Sequence, residues 1–276
     1  MKKIVLILVL LMISTSSFAQ KKPKLKGNKV VTDVFKTLDG FNAIEISDNL
    51  KVAILQASNN GYHLITDENL VNDINITVVD SVLKISTNSN ITSSKKLEIN
   101  LTVSKINKIT IRDEAKLECS NRLITNNFTF AAFDKASFNL DLNATNSYFR
   151  IVKSVSGEIL LTGEKSIMMF DENAFMKGNV VLDEFELKMI DRTDADLTGE
   201  VNYLKFSGSD TGTLKGKDLK SSTADVSISG SSNAYIYSSK QLNVYAKDKS
   251  SVYVFGKPEI KVEGLNDRAQ IIKRDK

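Results

Sequence analysis

The chain has no tryptophan, one histidine (His63) and one cysteine (Cys119). These absences remove much chemistry. A Ser-His-Asp triad has to use His63, and no His/Cys zinc cage can be assembled. A single cysteine cannot form an internal disulfide, so outside the cell stability has to come from packing. Cys119 follows Leu117 at strand spacing and reads as a small residue turned toward a core. No long apolar run follows residue 13, and no segment after residue 80 keeps a 3.6-residue period. Helices are therefore expected to be scarce. With 42% hydrophobic and 25% charged residues, a wholly disordered chain is excluded.

The one long apolar run is at the start. Met1-Lys2-Lys3 precedes ten apolar residues, Ile4 to Ile13, and then Ser17 and Ala19 at the −3 and −1 positions before Gln20. This order predicts a secretory signal peptide over 1–19. Ten apolar residues are too few to span a bilayer core, which takes about 20, so no transmembrane segment is expected in the mature chain. No cysteine follows the cleavage point, so lipoprotein anchoring is not expected. Residues 20–37 hold Pro23, Gly27 and the cluster Lys21, Lys22, Lys24, Lys26 and Lys29, which predicts a disordered basic leader. The net charge of +4 falls to +2 without Lys2 and Lys3, and to −3 without the five clustered lysines. A near-neutral body of this kind argues against nucleic acid as a partner.

What the sequence does contain is an internal repeat. A small residue followed two positions later by an apolar one recurs nine times. The matches are Ala115-Leu117, Ala136-Phe138, Gly157-Ile159, Ala174-Met176, Ala195-Leu197, Gly212-Leu214, Ala234-Ile236, Ser251-Tyr253 and Ala269-Ile271. Short alternating segments flank each small residue, and turn formers such as Asp113-Glu114, Asp134-Lys135, Ser209-Asp210 and Asn266-Asp267 separate them. The pattern predicts an all-β single domain over 38–274: a parallel β-helix (β-solenoid) with coils of about 20 residues. Stacking of like on like is what would reward equal residue types at equal positions. An antiparallel β-sandwich is the alternative, with one hairpin per period. Residues 41–107 alternate less regularly and are expected to start and cap the stack, with a tight turn at Val79-Asp80-Ser81-Val82.

Several stretches resemble the head GIN domain of the so-called auto-transporter adhesins of the Bacteroidetes. They are Phe41-Asn42-Ala43-Ile44-Glu45-Ile46, Leu50-Lys51-Val52-Ala53-Ile54-Leu55-Gln56, Thr66-Asp67-Glu68-Asn69-Leu70, Lys108-Ile109-Thr110-Ile111, and Val252-Tyr253-Val254-Phe255-Gly256-Lys257-Pro258 near the end. The resemblance spans about residues 38–274. It implies a right-handed parallel β-helix in an envelope or secreted protein and carries no catalytic motif. The family's Ser-Gly-Ser-Gly turns have counterparts only in Ser207-Gly208-Ser209 and Ser229-Gly230-Ser231.

Three constellations remain. Asp113, Asp134, Asp210 and Asp267 form a ladder interrupted at Val155, Thr193, Ser232 and Lys249; it reads as turn-forming aspartates, or else as a carboxylate or calcium site. Asp191-Arg192-Thr193-Asp194-Ala195-Asp196 lacks the glycine and distal glutamate of a calcium loop and reads as a solvated turn. Tyr235, Tyr237, Tyr245 and Tyr253 are the aromatics best placed to stack on a sugar, or else to pack on one another. No catalytic, cofactor-binding or metal-binding residue is assigned. The expectation is an exported non-catalytic envelope or cell-surface module with a glycan or protein ligand. The alternative is a polysaccharide hydrolase or lyase with an Asp-based site on the solenoid flank.

Overall fold

Period-two alternation places every second side chain inward, and in this molecule the inward residues of successive coils stack on one another. The computed structural model describes residues 21–274; the expected signal peptide, residues 1–19, lies outside the described residues. Six long strands make up the body: Ser137–Val152, Ser156–Asp171, Phe175–Met189, Asp194–Gly208, Thr213–Ile228 and Asn233–Ala246. Each pairs in parallel with the next. The architecture is therefore a β-solenoid, and the sandwich alternative is excluded. The described residues contain no α-helix, only a 3-10 turn at Glu68–Leu70.

Each coil closes through one left-handed residue. Positive φ recurs at Asp113, Asp134, Lys153, Glu172, Asp191, Asp210, Gly230, Asp248 and Asp267. Aspartate tolerates this conformation better than most residues because its short side chain bonds locally. The corner two residues later is small throughout: Ala115, Ala136, Val155, Ala174, Thr193, Gly212, Ser232, Ser250 and Ala269. Backbone bonds link it coil to coil, as in Ser156 N to Ala136 O (3.2 Å) and Thr213 N to Thr193 O (2.9 Å).

The structure splits the repeat register read from the sequence between two positions. Ala115, Ala136, Ala174, Gly212 and Ala269 do stand at the corner. Gly157, Ala195 and Ala234 lie two residues further on, inside the strand, and Ser251 one residue on. Gly157, Ala195 and Ala234 belong to a column running Phe138, Gly157, Met176, Ala195, Leu214 and Ala234, in which large and small residues alternate; Ser251 pairs with Asn233 beside that column. The Phe138 ring occupies the space a Gly157 side chain would need, with Cζ 2.1 Å from the ideal Cβ position. Two neighbouring positions thus both accept small residues, for different steric reasons. A second column holds Ile109, Phe130, Phe149, Met168, Leu187 and Phe206, all buried.

The stack begins among shorter strands. Ala43–Ile46 and Lys51–Gln56 pair in parallel with Lys108–Ile111 and Lys116–Cys119. Antiparallel strands close this end: Val31–Thr37 on Gly61–Asp67, Gly61–Asp67 on Leu97–Val103, and Ile74–Val79 on Val82–Thr87. Asp80 and Ser81, both at positive φ, make the expected tight turn.

The disordered leader is a second correction. Lys24–Lys26 is a strand paired with Asn90–Ser93, and Val31–Thr37 is the outer strand of the cap. Lys24 and Lys26 point to solvent while Leu25 packs against the core cluster. Edge pairing orders a segment too polar to collapse alone. Lys22 Nζ adds contacts to Asp48 Oδ1 (2.6 Å) and the Thr87 carbonyl (2.6 Å).

The buried Asp67 side chain latches this cap. Its carboxylate accepts the backbone N–H groups of Lys29 (2.9 Å), Lys95 (3.1 Å) and Lys96 (3.2 Å). Burial alone would raise its pKa, but the donors at Lys95, Lys29 and Lys96 outweigh burial and hold it below the usual value. A depressed folded-state pKa stabilises fully above the unfolded value, near 4, and the contribution is lost as pH falls through the lower folded value. Asp67→Asn is therefore expected to melt below the wild type at pH 7. The gap should narrow as pH drops below about 4. Thermal melts from pH 7 to 2 check this, and a pH-independent gap would refute the charge argument.

Candidate functional site

The ladder of left-handed turn residues is continuous in a way the sequence register conceals, and it is acidic at every rung but Lys153 and Gly230. Of the four apparent breaks, Val155, Thr193 and Ser232 are corner residues and Lys249 lies between the rung Asp248 and the corner Ser250, so none is a rung. Lys153, Glu172 and Gly230 occupy true rungs, and Asp191 and Asp248 belong to the ladder as well. Several rungs are tied to the next coil. The Asp113 carboxylate accepts the Asp48 N–H (2.9 Å), Asp134 the Asp113 N–H (3.4 Å), Asp248 the Gly230 N–H (2.9 Å) and Asp267 the Asp248 N–H (3.2 Å). Asp134 also takes the Lys153 ammonium (2.6 Å), and this pairing holds its carboxyl below the usual range. Each bond fastens one coil to its neighbour, so these carboxylates are structural. Asp194, from the half-loop of three acids, accepts the Thr213 N–H (3.1 Å). No group of three or more His, Cys, Asp or Glu able to hold a metal occurs among the described residues.

The two scarce residues have local roles. His63 stacks flat on Phe35, with ring centroids 3.9 Å apart, on the capping sheet. Cys119 is partly buried, and desolvation pushes its thiol up to about 11, which leaves it uncharged and unreactive near neutral pH.

A groove lies on the outer flank near the C-terminal coils. From Asp210 to Gly230 the repeat is twenty residues, and from Gly230 to Asp248 it is eighteen, against nineteen on either side. The long coil accommodates its surplus as a bulge. Gly216 pairs with Ile236 and Lys220 with Tyr237, which leaves Lys217, Asp218 and Leu219 without partners on the following strand. A bulge re-aims side chains and opens the ladder locally. The result is a groove of about 960 Å³. Tyr235, Tyr237 and Phe255 line it together with Lys215, Lys217, Lys220 and Arg274, and it contains two carboxylates, Asp196 and Asp218.

Aromatic and cationic groups are interleaved there. Tyr235 and Tyr253 stack with centroids 4.5 Å apart and planes 12° from parallel. The Lys220 ammonium lies 4.1 Å from the Tyr237 ring centre and donates to the Lys217 carbonyl (3.0 Å). The Arg274 guanidinium lies 5.3 Å from the Tyr253 ring. Of the four tyrosines singled out in the sequence, Tyr235, Tyr237 and Tyr253 come together. Tyr245 lies on a separate stretch of its coil, paired with Ser227 and Gly264. The cations and Phe255 were not singled out. The available signal was the run Lys215-Gly216-Lys217-Asp218-Leu219-Lys220, where clean alternation fails.

A family model described as putative auto-transporter adhesin, head GIN domain, matches residues 40–173 and 167–258. Among solved structures, the chain is similar to a putative adhesin from Parabacteroides merdae, at 16% identity and TM-score 0.68, with 92% of this chain and all of that one covered. A putative lipid binding protein from Parabacteroides distasonis gives 16% identity and TM-score 0.66, covering 91% of this chain and all of that one. A putative adhesin from the same species gives 14% identity and TM-score 0.66 over the same shares. At these identities the likeness establishes the fold. No curated protein matches the chain.

Proposed function

We propose, from the premise that this chain belongs to the head GIN domain family, that it is an exported, non-catalytic envelope or surface module that binds a ligand on its flank. The observation that carries this reading is the groove between the bulged coil and its short successor, where aromatic rings and cations share one opening. A solenoid presents an extended regular surface suited to binding. The groove holds no histidine and no thiol, and the coil-turn aspartates Asp113, Asp134, Asp248 and Asp267 are fastened to neighbouring backbone. This inventory supports recognition over turnover. The solved relatives bear the names adhesin and lipid binding protein, and both names denote binding. Export rests on the signal-like residues 1–19. Among the described residues no helix is long and apolar enough to cross a membrane.

A glycan array run beside a reducing-sugar release assay on acidic polysaccharides tests the reading. Binding without product release is the expected result. Release that disappears in Asp196→Asn or Asp218→Asn would establish the hydrolase or lyase instead. Mass spectrometry of the native N-terminus should find Gln20 first, without an acyl group.

A further inference from the structure

We infer that the groove is a subsite for a carboxylated saccharide, a uronate unit of an acidic glycan, its ring lying against the tyrosines and its carboxylate held by Lys220 and Arg274. This rests on the binding-module reading and names the ligand class for that same site.

Charge pairing points to an anion. Elsewhere on the flank, lysines meet carboxylates on neighbouring coils: Lys177 with Glu158 (2.6 Å), Lys165 with Glu184 (2.7 Å), Lys153 with Asp134 (2.6 Å) and Lys51 with Glu118 (2.7 Å). At the groove four cations share one opening without such cross-coil partners. Among the described residues, Lys215, Lys220 and Arg274 make no salt bridge, and Lys217 reaches only its own neighbour Asp218, at 3.9 Å. Four cations against two carboxylates, Asp196 and Asp218, leave the opening net positive among the described residues, which attracts an anion.

The aromatic floor narrows the class of that anion. Exposed tyrosine faces suit a flat amphipathic partner, because the ring is apolar and the hydroxyl remains wet. Tyr235, Tyr237 and Phe255 are half-buried rather than sunk in the core, so part of each ring is open to a ligand, although Tyr253 covers one face of Tyr235 and Lys220 one face of Tyr237. Lys220 is held in place by both Tyr237 and the Lys217 carbonyl, which lowers the ordering cost of gripping a carboxylate. A saccharide carrying a carboxylate uses both features at once. A neutral sugar leaves the cations idle. A membrane surface would call for protruding apolar side chains beside the basic ones, and the groove lining supplies only Phe255 and recessed tyrosines. The volume lies at the upper end of the range for pockets that enclose small ligands, about 300–1,000 Å³, which leaves room for more than one sugar unit.

The test is calorimetric titration with oligogalacturonate and oligomannuronate, their methyl esters as uncharged counterparts, and phosphatidylglycerol vesicles. The free acids should bind, and esterification should weaken binding about tenfold or more, the loss expected when charge-assisted bonds are removed. Lys220→Gln and Arg274→Gln should each weaken the free acids by about the same factor while leaving the melting temperature unchanged. Binding should weaken as salt rises from 50 to 500 mM, about the range over which screening shortens from near 14 to near 4 Å. Equal affinity for acid and ester, or indifference to both variants, overturns the inference. So does binding of the vesicles, but not the oligosaccharides, through the same two residues. If neither acid binds while the array finds another ligand, the acidic-sugar inference falls and the module reading stands. If sugar is bound and then released as product, the module reading falls and the ligand class stands.

Discussion

Phe149→Ala is expected to destabilise the protein by about 3–5 kcal/mol, the usual cost of emptying a buried phenylalanine site. Phe149 has no exposed surface. Its ring centre lies 5.8 Å from Phe130 and 6.3 Å from Phe128, and its backbone pairs with Phe130 on one side and Met168 on the other. The side chain therefore joins three consecutive coils. In a solenoid the chain has few other ways to couple distant coils, because each coil touches only its neighbours. A void here weakens two interfaces at once, and the β-ladder limits how far the walls can collapse. For a chain of this size the loss corresponds to a melting temperature lower by roughly 6–20 °C. Phe175→Ala is the control. Phe175 is 43% exposed on the outer surface, and its truncation should cost under about 1 kcal/mol. Melts followed by circular dichroism decide the matter. If the two variants shift alike, column packing does not carry the stability.

Much of this architecture is written in the sequence, and what is hidden has physical causes. The β content, the coil of about twenty residues and the irregular N-terminal cap follow from alternation and spacing, and the cap's turn at Asp80-Ser81 from its residue types. The register does not, because Gly157 and Ala195 are small for a reason other than the corner. Each faces large residues, Phe138 and Met176 for Gly157, Met176 and Leu214 for Ala195. A pattern search that rewards small residues therefore steps between two columns. The aspartate ladder is partly legible because four of its six aspartates, Asp113, Asp134, Asp210 and Asp267, fit the small-x-apolar spacing. Lys153 and Glu172 hold the same left-handed backbone, imposed by the stacked coils above and below, and no local preference announces it. The order of the N-terminal strands Lys24–Lys26 and Val31–Thr37 is hidden for a related reason. Their pairing partners, Asn90–Ser93 and Gly61–Asp67, are distant in sequence. The tyrosines of the groove were legible as candidates, but their assembly was not. It depends on one extra residue in one coil and one fewer in the next, a difference that alters geometry without altering composition.

Gly199→Ala should cost about 1–6 kcal/mol, the balance of three effects. Gly199 has φ +115°, a conformation that side-chain-bearing residues rarely adopt, and strain of this kind costs about 1–3 kcal/mol. An added Cβ would stand 2.1 Å from the Val180 carbonyl oxygen. Relieving that overlap moves backbone, which costs a further 1–3 kcal/mol or so. Opposing both, alanine narrows the unfolded ensemble and returns about 0.4–1 kcal/mol. The Val180 oxygen cannot retreat easily, because Val180 is itself paired with Leu161 on the preceding coil. Gly199 pairs onward with Leu219, the last residue of the bulge that walls the groove. A displacement at Gly199 is thus passed to the groove, and Gly199→Ala should weaken acidic-saccharide binding as well as stability. Gly40→Ala is the comparison, since its Cβ would meet nothing within 4 Å; it should be neutral or slightly stabilising. Urea denaturation of the two variants separates the cases. Equal midpoints would mean that the close coil-to-coil approach at Gly199 yields without cost, and that the bulge beside it is not held by the strand beneath.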